Sequence, residues 1–235
     1  MFQFKQFNVK QDRCAMKIGT DSVLLGAWTP LENNPQTILD IGAGTGVLSL
    51  MLAQRTNAFQ IDAVEIDEDA YEQCVENFEQ SPWGDRLFCY HAALDELVSE
   101  PEDEYDLIIS NPPFYSEDFK TGNSSRDTAR FQDALPFEEL IESVALLLSE
   151  DGVFSVIIPY KEEDYFVDLC AQYELYPIKG TRVRGSENTA LVRSMLAFKR
   201  YELSALTADE LIIEHSRHDY TDDYKNLTQD FYLKM

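Results

Sequence analysis

Histidine and cysteine are scarce in this chain of 235 residues, three and four respectively, and neither clusters. Cys14, Cys74, Cys89 and Cys170 stand far apart, with no zinc-ligand spacing and no disulfide framework. His215 and His218 have no cysteine nearby and read as surface residues. No metal is expected, and the thiols are expected to be reduced, as in a cytoplasmic protein. Long hydrophobic runs are missing too. No window is apolar enough to span a bilayer, and the segment Met1–Phe7 lacks the apolar core of a secretory leader. No internal repeat or low-complexity tract is present.

Positive charge is the third shortage: 19 Lys and Arg against 43 Asp and Glu, a net charge of −24. Taken whole, that balance opposes a nucleic-acid partner. Its distribution is uneven, however. Residues 60–110 hold sixteen acids and one cation, Arg86. Residues 179–200 hold Lys179, Arg182, Arg184, Arg193, Lys199 and Arg200 against Glu187 alone. Residues 1–20 hold Lys5, Lys10, Arg13 and Lys17 against Asp12. The chain reads as an acidic body with two basic segments, or equally as a solvated acidic surface in which those segments mean nothing.

What is present is an alternation of strand and helix with 44% apolar residues. Strands are expected at 37–41, 61–66, 87–91, 107–110, 152–158 and 191–198. Helices are expected at 46–54, 69–78, 137–148 and 162–173. This order predicts an α/β fold, a parallel sheet with helices on both faces, in one domain over 1–235. In such folds ligands sit at the carboxyl ends of the strands. Residues 1–35 precede the first strand and are read as an extension over the ligand site. Residues 115–132 follow the site and are read as a loop that grips substrate, although a plain surface excursion has the same composition.

Two motifs stand at strand ends. The first is Asp40-Ile41-Gly42-Ala43-Gly44-Thr45-Gly46. Glycine permits tight turns and close backbone approach, and the next helix directs its N–H groups into the same space. The spacing differs from the Gly-x-Gly-x-x-Gly of dinucleotide folds and suits S-adenosylmethionine, whose amino-acid end is compact. Asp40 is placed to accept from the cofactor ammonium. Glu65, in Ala63-Val64-Glu65-Ile66-Asp67, is placed to accept from both ribose hydroxyls. Asp67 either assists or caps the following helix. In Lys17-Ile18-Gly19-Thr20-Asp21, Thr20 or Asp21 caps a helix over 22–28, or Asp21 reaches the ammonium. Nicotinamide binding is the competing reading of the glycine loop.

The second motif, Asn111-Pro112-Pro113-Phe114, lies 65 residues beyond Gly46 and counts against nicotinamide. A planar exocyclic amine is a poor nucleophile, because its lone pair is delocalised into the ring. Two acceptors aimed at its N–H bonds favour the tetrahedral, reactive form. Asn111 offers a side-chain oxygen and Pro112 a backbone carbonyl. Pro112 and Pro113 have fixed φ and stiffen the corner. Phe114 offers a face on which a base can stack. Such a site needs an unpaired or flipped base. Alone, Asn-Pro-Pro is also a common turn opener.

Residues along nearly the whole chain match one family. They run from Phe4-Lys5-Gln6-Phe7 and Cys14-Ala15-Met16-Lys17-Ile18-Gly19-Thr20-Asp21, through Leu24-Leu25-Gly26-Ala27-Trp28 and the two motifs, to Asp230-Phe231-Tyr232-Leu233-Lys234-Met235. The chain resembles the bacterial tRNA N6-adenine methyltransferases that modify the adenosine beside the anticodon of a valine tRNA. The resemblance implies a class I methyltransferase (Rossmann-like) fold: seven strands, mostly parallel, the last antiparallel. It implies Asn111, Pro112 and Phe114 at the amine, and Asp40, Gly42, Gly44, Glu65 and possibly Asp21 around S-adenosylmethionine. With tRNA as partner, Lys17, Tyr115, Arg126, Arg130, Arg182 and Arg184 are the candidate RNA contacts, and a monomer is the expected state.

Three other readings share features with this one. A protein glutamine methyltransferase has the same corner, but with a helical domain for which the residues before the glycine loop are too few. A ribosomal-RNA methyltransferase often carries a duplicated domain. A non-catalytic cofactor-binding module would be expected to lose Asn111.

Overall fold

The computed structural model describes residues 1–99, 104–113, 135–202 and 208–235. A short antiparallel pair, β1 (Phe2–Gln3) and β2 (Asn8–Val9), leads into α1 (Thr20–Trp28). The alternating unit follows: β3 (Thr37–Ile41), α2 (Val47–Arg55), β4 (Gln60–Glu65), α3 (Glu68–Glu79), β5 (Leu87–His91), α4 (Leu94–Ser99) and β6 (Tyr105–Ser110). Next come α5 (Phe137–Leu147), β7 (Leu148–Pro159), α6 (Glu163–Gln172), β8 (Tyr176–Arg184) and β9 (Leu191–Lys199). The chain closes with β10 (Asp209–Ile212), the hairpin β11 (Glu214–Ser216) and β12 (Asp219–Tyr220), and α7 (Asp222–Thr228).

The central sheet has the order β10-β8-β9-β7-β6-β3-β4-β5. Strands β5, β4, β3, β6 and β7 run parallel, and β9 lies antiparallel between β7 and β8. These are the seven strands the resemblance implies. An eighth, β10, extends the edge parallel to β8.

The period-two alternation of strand side chains builds both cores. Ile38, Leu107, Ile109, Val153 and Ile157 face α1, α2 and α3, whereas Leu39, Ile108, Phe154, Val156 and Ile158 face α5 and α6. On α5 the stripe Leu140, Ile141, Val144 and Leu147 has the helical period and is buried. Residues 1–9 join the first core through Phe4, Phe7 and Val9. Beyond them, Asn77 on α3 holds the chain from both sides. Its amide donates to the carbonyls of Lys10 (3.0 Å) and Thr45 (2.9 Å), tying the N-terminal segment to the glycine loop.

Two local expectations need correction. Neither Thr20 nor Asp21 caps α1; Gly19 occupies the cap position without a side-chain bond. Asp21 instead accepts from Arg193 Nε of β9 at 2.8 Å. And 176–184, with no strand expected, is the nine-residue β8. As expected, His215 and His218 are exposed. No helix among the described residues is long and apolar enough to cross a membrane.

Candidate active site

The glycine loop joins β3 to α2, and all three of its glycines have positive φ: 71° at Gly42, 53° at Gly44 and 74° at Gly46. Their roles differ. A Cβ on Gly42 or Gly44 would meet nothing within 4 Å, so both face open space. A Cβ on Gly46 would lie 2.5 Å from the Phe78 ring and 2.8 Å from Cys74 Sγ. The N–H of Gly46 donates to the Ala43 carbonyl (2.8 Å). Gly46 therefore shapes the loop from behind and lets α3 pack closely, rather than facing a ligand.

Carboxylates surround the loop. Glu65, at the end of β4, is nearly buried and accepts from Gly44 N–H at 2.7 Å and Asp67 N–H at 2.9 Å. Each oxygen keeps a lone pair. Asp67 caps α3, its Oδ1 accepting from Ala70 N–H at 2.8 Å, so capping is its observed role. Asp40 is fully buried; its Oδ2 accepts from Ser49 N–H (3.1 Å) and Ser49 Oγ–H (2.7 Å). Its other oxygen is buried and has no hydrogen-bond partner among the described residues. Burial first, and the nearby charge of Glu65 with it, push the Asp40 carboxyl up to about 7, against the bonds from Ser49. Burial and the charges of Glu65 and Asp67 likewise push the Cys14 thiol up to about 12, which brings the N-terminal segment into the field of this site.

A buried, unsatisfied carboxylate oxygen is costly unless an outside group completes it. A cation suits this place, because the charge of Glu65 acts on Asp40. The arrangement fits the ammonium of S-adenosylmethionine at Asp40, its ribose at Glu65, and close backbone approach at Gly42 and Gly44. A pyrophosphate would meet only negative charge. Ile66 was missed in sequence: 61% exposed directly after Glu65, it offers an apolar surface suited to the cofactor's adenine. Its place after the acidic strand end was the available signal.

The corner at the end of β6 stands beside this loop, because β6 and β3 pair in parallel, with Ile41 opposite Ser110. Asn111 Nδ2 donates to Ser22 Oγ on α1 at 2.9 Å. The amide oxygen makes no bond among the described residues and remains an acceptor. Ser22 was missed because it lies 89 residues away in sequence. Pro112 is buried and Pro113 half-buried. Phe114, Tyr115, Arg126 and Arg130 lie outside the described residues.

The expected RNA contacts Arg182 and Arg184 are already engaged. Arg182 makes a bidentate pair with Glu163 (Nη2–Oε1 2.7 Å) and lies over the Tyr160 ring. Arg184 pairs with Glu210 at 2.7 Å and donates to the Glu187 and Thr189 carbonyls. Lys179 and Arg200 donate to backbone carbonyls as well. Lys179, Arg182, Arg184, Arg193 and Arg200 thus each bind another part of this chain. Lys17 is exposed and makes no hydrogen bond or ion pair among the described residues.

Comparisons with known proteins place the chain among methyltransferases. The Methyltransferase small domain model matches residues 19–158. The tRNA1(Val) (adenine(37)-N6)-methyltransferase of Flavobacterium johnsoniae is 66% identical over 235 residues, the full length of both chains. That of Christiangramia forsetii is 59% identical over 100% of this chain and 98% of its own. Among solved structures, a predicted O-methyltransferase from Agrobacterium tumefaciens superposes with a TM-score of 0.70 at 16% identity, covering 90% of this chain and 96% of that one, a likeness of fold. The chain is a methyltransferase that uses S-adenosylmethionine, and it belongs to the tRNA1(Val) (adenine(37)-N6)-methyltransferase family.

Proposed function

We propose that this chain methylates the exocyclic N6 amine of an adenine in tRNA, the adenosine beside the anticodon of a valine tRNA. The observation that carries this reading is the Asn111 amide, its NH2 bonded to Ser22 and its oxygen left as the acceptor. The relatives' full-length likeness names the substrate class.

When bound, S-adenosylmethionine supplies the electrophilic methyl group. Asp40, Glu65, Gly42 and Gly44 hold it, and the segment around Cys14 borders it. Asn111 Oδ1 and the Pro112 carbonyl each accept one amine N–H, drawing the nitrogen lone pair out of conjugation. Ser22 accepts from the NH2, which leaves the oxygen for the substrate. The chain's contribution is positioning and preorganised polarity. The free thiols of Cys14, Cys74 and Cys170 fit the reducing cytoplasm.

The test is transfer of labelled methyl to bulk tRNA, followed by nucleoside analysis. N6-methyladenosine is the expected product. Label in protein glutamine or in ribosomal RNA alone overturns the reading.

Ser22→Ala should lower the transfer rate roughly three- to tenfold, the worth of one hydrogen bond, with cofactor affinity unchanged. A rate equal to the parent's in single-turnover kinetics removes Ser22 from amide positioning.

Asp40 links binding to pH. Between its ordinary 3.8 and about 7, the folded chain holds a proton that the unfolded chain has lost. This group alone therefore lowers apo stability as the pH rises through that window. An ammonium bound near Asp40 favours the charged form and expels the proton. Cofactor binding at pH 6 should release up to one proton, and Asp40→Asn should abolish that release. The measurement is calorimetry in buffers of different ionisation enthalpy. Identical enthalpies in all of them at pH 6 contradict the ammonium placement.

A further inference from the structure

A cavity of about 520 Å3 opens beside the N-terminal turn of α1, within the size range of small-ligand clefts. Its walls are aromatic. Phe2, Tyr220, Tyr224 and Tyr232 line it with Lys234, and Thr20 forms its edge. Tyr220 and Tyr224 are in ring contact at 5.2 Å, and Phe2 and Tyr232 at 6.3 Å. Tyr224 is buried, while Phe2, Tyr220 and Tyr232 are half-exposed and keep faces toward solvent.

The charge around this cavity departs from the rest of the molecule. Lys10, Arg13, Arg182, Arg184 and Arg193 are all paired with carboxylates. Lys17, Arg217 and Lys234 are exposed and make no hydrogen bond or ion pair among the described residues. Lys234 lines the cavity, Lys17 precedes its Ile18 wall, and Arg217 lies in the β11–β12 hairpin that carries Tyr220. Of the adjacent acids, Asp222 and Asp223 occupy the first turn of α7, where they serve the helix dipole, and Asp222 faces Lys225 at 3.7 Å; Asp219 lies in the hairpin beside Tyr220.

Position links the cavity to the catalytic corner. Ser22, which holds Asn111, and Thr20, on the cavity edge, share one turn of α1, a pitch of about 5.4 Å. Aromatic faces with unpaired cations at their rim are the chemistry of single-stranded nucleic-acid recognition. We propose that this cavity receives a nucleotide flanking the target adenine, its base stacked on Tyr220 and its phosphate held by Lys234 and Arg217. The inference rests on the reading of the substrate as tRNA. It also gives an acidic protein a local RNA-binding face, away from the internally paired segment 179–200.

The test uses the full chain, S-adenosylmethionine and a tRNA transcript. Tyr220→Ala should raise the KM for tRNA roughly five- to a hundredfold, the range of one lost stacking contact, with kcat and cofactor affinity within about twofold of the parent. Tyr220→Phe should restore KM, and Lys234→Ala should raise it with a weaker salt dependence. A 2-aminopurine beside the target should be quenched by the parent and by Tyr220→Phe, but not by Tyr220→Ala. If the parent methylates tRNA while Tyr220→Ala and Lys234→Ala keep its KM and its quenching, the cavity is not an RNA subsite and the substrate reading stands. If the parent forms no methyladenosine in tRNA, the substrate reading fails, and this proposal with it.

Discussion

Replacing Asn111 by alanine should cut methyl transfer by roughly a hundred- to a thousandfold, the usual cost of removing one preorganised polar contact from a reacting group. Cofactor affinity should stay where it was. The separation of effects follows from the sheet. Asn111 stands at the end of β6, and β6 is fixed between β3 and β7 by parallel pairing from Leu107 to Ser110. Truncating its side chain removes one bond, to Ser22, and no core contact. The carboxylates and glycines that would hold the cofactor belong to β3, β4 and the loop between β3 and α2. Asn111→Asp retains an oxygen acceptor and Ser22 can donate to it, so it should retain more activity than the alanine variant. Single-turnover rates, with cofactor affinity measured by calorimetry, decide the matter. A normal rate in Asn111→Ala would take the amide out of the mechanism.

The parts of this molecule that were legible in the sequence are those whose cause is local. Strands β3, β4 and β6 are apolar runs with turn chemistry at their ends, and each was expected within about two residues of its observed bounds. The glycine loop and the Asn-Pro-Pro corner are contiguous motifs and proved to stand on adjacent strands. Strand β8 was illegible because its sequence, Tyr-Pro-Ile-Lys-Gly-Thr-Arg-Val-Arg, contains proline, glycine and three cations. Most of those polar groups find distant partners: Lys179 the Trp28 carbonyl, Thr181 the Trp28 indole, Arg182 Glu163. The same limit explains why the partners of the cations in 179–200 were not foreseen. A run of cations announces charge, but not the carboxylates that tertiary structure brings to meet it. Asp21 and Arg193, 172 residues apart, make the point again.

Gly46→Ala and Gly44→Ala are chemically the same change two residues apart, and they should fail in different ways. Both positions have positive φ, so each methyl costs about 1–2 kcal/mol in backbone conformation. At Gly46 the new Cβ also strikes Phe78 at 2.5 Å and Cys74 at 2.8 Å, both buried on α3, which adds about 1–3 kcal/mol of overpacking. A total of about 2–5 kcal/mol corresponds to a Tm lower by roughly 5–20 °C for a chain of this size. At Gly44 the Cβ meets nothing within 4 Å, so the melting loss should stay small. Its methyl enters the open space in front of the loop, beside the N–H that donates to Glu65. The large effect there should be a loss of S-adenosylmethionine affinity, seen as failure of the cofactor to raise Tm. Gly46→Ala, assayed well below its Tm, should still be stabilised by the cofactor. Were Gly44→Ala to bind cofactor normally, the open side of the loop would not be the binding side. Were Gly46→Ala to melt with the parent, α3 would have room to retreat, and the close approach of Phe78 to the loop would not be what requires glycine there.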